Sequence, residues 1–394
     1  MTSTTGKHGR DAGHPALPVV LVAGLHADAR AAAVGRLLRD VPGSVALHYD
    51  LGAAGPLGVP RRLRDAAGER SDGEAPLLRG CACCALRDDL VPRLERLADE
   101  GASLAVVELW DSVEPRPMAE LLARTADEGL RLAGVVTAVD PALVMPYLAC
   151  ADSLAEAGFA AAPTDQRMVA DTWARQVEYA PVLACAAGPE PASAADHAVL
   201  AQLQPFARQI DVAGPGFAAA ATGGFDAEAA AARQHPATVL LPPPACWAGV
   251  TTVVWRHRRP FHPGRLYDAL EELACAAPRS RGRFWLADRP GSLLSWDAAG
   301  GAVCVDNAGP WLAALPDAAW DLMPPVRRAA AAMDWDPGYG DRSQLLAFTG
   351  PGLDAARLCE VLSSCLLTEA ECAAGLETWR GVGSAFDELL APAF

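Results

Sequence analysis

The chain has 394 residues, 51% of them apolar, and a formal net charge of -15 at pH 7. That length allows two or three domains with large cores, and the acidity excludes the basic stripe expected of a nucleic-acid-binding surface. No apolar run approaches the roughly 18 residues needed to span a bilayer, and residues 1–15 form a polar tail without the apolar core of a secretory signal, so a soluble cytoplasmic protein without a membrane partner is expected.

From residue 17, short apolar runs alternate with amphipathic stretches. Strands are expected at 17–23, 44–50, 103–109, 132–139, 181–186 and 209–212, and helices near 30–39, 88–99, 115–128, 164–178 and 193–206. Apolar strands interleaved with helices imply an α/β fold, a doubly wound and mostly parallel sheet with helices on both faces, over residues 16–212. Between 213 and 246 the chain becomes rich in Ala, Gly and Pro, ending in Leu241-Pro242-Pro243-Pro244, which reads as a linker. From 247 to 394 strands group together: 250–257, 283–287, 292–296, 303–305 and 344–348, with helices at 263–275 and 354–364. This is a smaller α+β domain, with Trp255, Phe284, Trp285, Trp296 and Trp311 as its packing aromatics.

The densest chemistry lies in Gly80-Cys81-Ala82-Cys83-Cys84-Ala85-Leu86-Arg87-Asp88-Asp89-Leu90. Adjacent cysteines cannot converge from a regular strand, where successive side chains face opposite ways, but they can from the mouth of a helix. Clustered thiolates favour a soft ion such as zinc over magnesium or calcium. Leu86, Leu90, Leu94 and Leu97 keep helical spacing, with Asp88 or Asp89 as a cap and Pro92 in the first turn. The other eight of the 11 cysteines are scattered through mostly apolar segments and read as reduced core thiols.

Taken together, these motifs resemble the CobW family, a P-loop GTPase-like domain followed by a CobW carboxy-terminal domain, over about residues 16–390 of this chain. The resemblance rests on Gly80–Leu90, similar to a Gly-Cys-x-Cys-Cys metal motif, and on Glu108 with Pro115 and Pro117. It rests further on Gly134-Val135-Val136-Thr137-Ala138-Val139-Asp140, Arg258-Arg259-Pro260-Phe261-His262-Pro263, Arg279-Ser280-Arg281-Gly282-Arg283-Phe284-Trp285, Gly340-Asp341-Arg342-Ser343-Gln344 and Cys365-Leu366-Leu367-Thr368. It implies metal delivery to a client metalloprotein, with zinc bound at Cys81, Cys83 and Cys84. A further ligand is implied from the end of the second strand, either His48 or Asp50.

Against the family pattern, the nucleotide motifs are eroded. Gly24-Leu25-His26-Ala27-Asp28-Ala29-Arg30-Ala31 stands where a P-loop would wrap phosphates, so Gly24 and Arg30 are all that remains of a nucleotide site. Arg30 replaces the phosphate-binding lysine and Ala31 the hydroxyl that ligates Mg²⁺. The guanine-reading segment is Ala186-Ala187-Gly188-Pro189, and the chain's sole lysine and asparagine, Lys7 and Asn307, lie elsewhere. Trp110 in the switch-like segment is expected beside the γ-phosphate position. The expectation is a zinc carrier with a degenerate GTP/Mg site and no catalytic residue, working with a client or an intact paralogue. The alternatives are a GTPase with an atypical P-loop and a non-catalytic redox or scaffold protein.

Overall fold

The computed structural model describes residues 16–76, 82–125, 129–162, 164–238, 240–323, 325–379 and 386–390. In the first half, the strands are β1 (Leu17–Ala23), β2 (Ser44–Tyr49), β3 (Val59–Asp65), β4 (Gly68–Ala75), β5 (Leu104–Glu108), β6 (Leu130–Val139), β7 (Val182–Cys185) and β8 (Arg208–Asp211). They form one sheet in the order β4-β3-β2-β5-β1-β6-β7-β8. All neighbours run parallel except the β2-β3 and β3-β4 pairs.

Helices cover both faces: α1 (Ala27–Asp40), α2 (Ala82–Asp99), α3 (Pro115–Arg124), α4 (Val144–Leu148), α5 (Val169–Tyr179), α6 (Ala194–Leu203), α7 (Phe217–Ala221) and α8 (Ala227–Gln234). Strand alternation sorts the core. Val20, Val22, Ala46 and Val106 pack with Ala33, Val34 and Leu37 of α1 and with Phe217 of α7. Val19, Leu21, Leu47, Tyr49 and Val107 face the other way, onto Leu86, Leu90 and Leu94 of α2 and the helices beyond.

Two expectations need correction here. The Ala-rich stretch expected as a linker carries α7 and α8, because alanine is the strongest helix former and Asp226 caps α8 through Ala229 N. Phe217 and Ala221 are fully buried against the first sheet. Second, α2 begins at Ala82, six residues before the expected start, so Pro92, Asp88 and Asp89 all lie inside the helix rather than at its first turn. Pro92 is tolerated on an exposed position, where water can take up the carbonyl that loses its partner.

The β3-β4 hairpin escaped the sequence reading because β3 is interrupted by three arginines and β4, at the sheet edge, is polar and largely exposed. Ion pairs hold it against α2. Arg61 donates to Asp89 (2.6 and 2.8 Å), and Arg93 donates to Asp72 (2.5 and 2.9 Å).

The second sheet comprises β9 (Ala245–Trp247), β10 (Val250–His257), β11 (Arg279–Phe284), β12 (Ser292–Ala299), β13 (Ala302–Pro310) and β14 (Gln344–Pro351), ordered β13-β12-β11-β14-β10-β9 and antiparallel throughout. One face buries Phe284, Trp296, Leu346 and Phe348 under the helix Ala355–Ser364. The opposite face of β11 carries Arg279, Arg281 and Arg283, and the first two of them meet Glu178 of the first half. Arg279 donates to both oxygens of Glu178 on α5 (2.7 and 2.9 Å) and also binds Asp297, all three side chains being buried or nearly so. The two sheets are therefore locked through charge as well as packing. No helix among the described residues is long and apolar enough to cross a membrane.

Candidate functional site

The carboxyl ends of the parallel strands, where α/β sheets place their ligands, are crowded with side chains rather than with open backbone donors. The connection from β1 to α1 is three residues, Gly24, Leu25 and His26. Gly24 has φ +137°, and a Cβ there would fall 2.3 Å from the carbonyl oxygen of Ala138 in β6. Leu25 is 1% exposed, and the first helical hydrogen bond already runs from Arg30 N to His26 O (3.1 Å). So short a turn leaves no loop of inward-facing N–H groups of the kind that wraps a phosphate chain.

Arg30 points back into this turn. It is 3% exposed, and its guanidinium donates to the carbonyl of Gly24 and to the carboxylate of Asp111. Its Nε has no hydrogen-bond partner among the described residues. Asp111 is fixed in turn by Gln176 of α5, whose amide donates to the carbonyls of Asp111 (2.7 Å) and Val113 (3.2 Å). Burial, then the carboxylates of Asp111 and Asp140, push the Tyr147 hydroxyl above its ordinary range, so it stays protonated beside this cluster.

At the expected guanine-reading segment, Gly188 lies against Asp140, and a Cβ on it would come 1.8 Å from Asp140 Oδ2. Asp140 itself accepts from Ala142 N (3.0 Å) and caps the turn after β6. Trp110 lies two residues beyond β5. Its ring sits over the turn after β2, where a Cβ on Gly52 would approach it to 2.6 Å, and near the ring of His48 at 6.2 Å between centroids. Asp111, not Trp110, is the residue of that segment that meets Arg30. The sequence held one signal for it, a carboxylate in a switch-like loop facing an otherwise unpaired arginine.

Of the expected zinc ligands, Cys81 lies outside the described residues and Cys83 is described only as backbone in the first turn of α2. Cys84 is half-buried and unpaired in any disulfide. Its helix covers the Leu47 and Tyr49 face of β2, and Asp89 of that helix accepts from the Tyr49 hydroxyl (2.8 Å). His48 leaves β2 from the opposite face. It lines a cavity of ≈150 Å³ with Ala46, Arg62, Arg64, Glu69 and Glu108, and its Nδ1 is 3.0 Å from the carbonyl oxygen of Glu108.

Asp50 is committed as well, accepting from Ala53 N (3.1 Å) and from Arg62 (3.1 Å). Among the described residues no three His, Cys, Asp or Glu side chains gather as a metal-holding group. The structure thus does not bring His48 and Asp50 onto the α2 face. His262 is a helix cap, its Nδ1 accepting from Arg265 N (3.2 Å) with its ring edge-to-face on Trp379.

With this geometry in place, comparison with known proteins adds the following. Residues 65–186 match the family description "CobW/HypB/UreG, nucleotide-binding domain", and residues 250–366 match "Cobalamin synthesis protein cobW C-terminal domain". A Mycobacterium tuberculosis protein named zinc chaperone Rv0106 is 32% identical over 94% of this chain and 93% of its own length. A Dictyostelium discoideum protein named zinc-regulated GTPase metalloprotein activator 1 is 28% identical over 76% of this chain and 67% of its own. Among solved structures, the zinc(II)-bound YjiA GTPase from E. coli aligns with 15% identity over 90% of this chain and 100% of that one, at a TM-score of 0.35.

Proposed function

Because the chain belongs to the CobW family, carrying both its nucleotide-binding and its carboxy-terminal domains, we propose that it is a cytoplasmic zinc chaperone that works without a nucleotide cycle of its own. Zinc is the cargo, taken up by the thiolates of Cys81, Cys83 and Cys84 at the mouth of α2. Soft sulfur donors suit that ion, and the names of the relatives support zinc in particular. His48 and Asp50, the other expected ligands, lie on the side of β2 away from α2, which supports a cargo whose remaining coordination position is open to water or to a donor from the client metalloprotein.

The observation that carries the loss of the nucleotide cycle is the Arg30–Asp111 ion pair. In a working site a cation at this helix start meets phosphate, and a hydroxyl next to it holds Mg²⁺. Here the cation is satisfied by the protein's own carboxylate, Ala31 offers no oxygen, and an incoming triphosphate would meet Asp111 as a like charge. The residues present do not fit GTP and Mg²⁺. Zinc release then falls to ligand exchange with a client of higher affinity or to an intact paralogue acting alongside.

One preparation tests both halves. Elemental analysis of the purified protein should find zinc that is lost in a Cys83→Ser, Cys84→Ser double variant, and titration with a fluorescent GTP analogue and Mg²⁺ should show no submicromolar binding. Tight nucleotide binding would restore the reading of an active GTPase with an atypical P-loop. Absence of zinc would remove the chaperone reading.

A further inference from the structure

The segment leaving α8 runs along the arginine-bearing side of the second sheet, and between them lies a cleft of ≈400 Å³. Leu240 from that segment, Leu293 of β12, Leu312 and Ala331 give it an apolar lining, while Arg283 of β11 brings a charge to it. A cleft of this size falls within the range of small-ligand sites, which are mostly apolar with a few placed polar groups.

The polar groups are unevenly matched. Arg283 is 8% exposed. Its Nη2 donates to Asp334 (2.8 Å) and Ser343 (3.2 Å), yet its Nε has no hydrogen-bond partner among the described residues. Asp334 is shared, since Arg258 donates to its other oxygen (2.8 Å). Asp341, the second carboxylate of the lining, is occupied by the backbone N–H groups of Leu312 (2.9 Å) and Ala313 (2.8 Å). His235 accepts from Ala237 N through Nδ1 (3.1 Å), so a neutral ring carries its hydrogen on Nε2 and is a further donor. Donors exceed acceptors, and two guanidinium groups divide one carboxylate between them. A buried, incompletely paired cation is the kind of group that gains most from a matching anion.

We propose that this cleft binds a carboxylate carried on a short apolar chain, the anion meeting Arg283 and the chain lying along Leu240, Leu293 and Leu312. A metal ion is disfavoured by the surplus of donors. Arg327 also lines the cleft and donates to the carbonyl of Pro310 (2.6 Å), and a phosphate is disfavoured because its polar body would face an apolar lining.

Calorimetric titration of the full chain with octanoate, octanol, and a blocked Ala-Ala-Ala-Leu peptide in free-acid and amidated forms tests this. Both acids should bind, with octanol and the amide at least tenfold weaker. Arg283→Lys, which keeps the charge but loses the fork, should weaken the acids by at least tenfold, and Ala331→Phe, which fills the cleft without touching Arg283, should abolish binding while circular dichroism stays unchanged. Tighter binding of octanoate assigns the site to a free small acid, and tighter binding of the peptide assigns it to a chain terminus. Binding of neither acid at millimolar concentration, equal binding of octanol and octanoate, or full affinity in Ala331→Phe would overturn the proposal.

Discussion

Arg30 and Asp111, 81 positions apart, meet as an ion pair at the turn between β1 and α1, and Gly24 supplies the second acceptor for the same guanidinium. Breaking a buried pair from one side leaves an uncompensated charge, so Asp111→Ala should lower stability by about 3–5 kcal/mol. The double change Arg30→Met, Asp111→Leu should cost clearly less than Asp111→Ala. Urea denaturation of the three proteins gives the coupling directly, and equal losses in both variants would show that the pair holds no shared energy.

Restoring a lysine should not restore nucleotide binding. Arg30→Lys leaves Asp111, Ala31 and the three-residue turn in place, so the affinity for a GTP analogue is expected to stay undetectable at micromolar concentration. Equilibrium dialysis with Mg²⁺ measures it, and a gain of binding from this single change would mean that the turn is not the barrier.

Zinc retention should depend on thiols rather than on the histidine. Since His48 leaves β2 on the face away from α2, His48→Ala is expected to keep its zinc with an affinity within about threefold of the parent. Cys84→Ser should lose tenfold or more, as removal of a thiolate ligand from a soft-metal site requires. Competition with a chromogenic chelator reads both, and a collapse of affinity in His48→Ala would return that side chain to the ligand set.

At the junction of the two sheets the acid dependence has a definite sign. Burial alone would raise the Asp297 carboxyl, but Arg279 and Arg175 beside it hold it below the usual carboxylate range. A depressed carboxyl stabilises the fold above its unfolded pKa, about 3.9, and that stability is lost as the pH falls through the lower folded value. Asp297→Asn should therefore be less stable than the parent at pH 7, with the difference shrinking below about pH 4. Thermal unfolding across pH 3–7 checks it, and a gap that stays constant with pH would exclude this linkage.

Gly24 is held tightly by its own backbone conformation and by β6. Alanine there would adopt φ +137° and press a Cβ to 2.3 Å from a β6 carbonyl, so Gly24→Ala should lose at least about 2 kcal/mol through strain and overpacking together. A shift of less than 2 °C in melting temperature would show that the turn can move.

The sequence by itself determined most of the parallel strands and their helices, because two-sided apolar runs such as 17–23 are legible wherever burial on both faces demands them. It also determined the thiol cluster and the erosion of the P-loop, since an absent hydroxyl at Ala31 and absent glycines need no coordinates to be seen. Tertiary structure alone decided what surrounds Arg30, His48 and Arg283. The partner of Arg30 is remote in sequence and is chosen by how β5 and α5 deliver Asp111. The face from which His48 leaves β2 follows from strand alternation, but which face α2 covers is set by packing. The hairpin β3-β4 is held by ion pairs to α2 as well as by Val59, Leu63 and Ala75 in the core, and the exposed polar residues of β4 gave it no apolar run to read. The cleft beside Arg283 exists only because an alanine-rich stretch folds into helices and lays the chain that follows them across a second sheet.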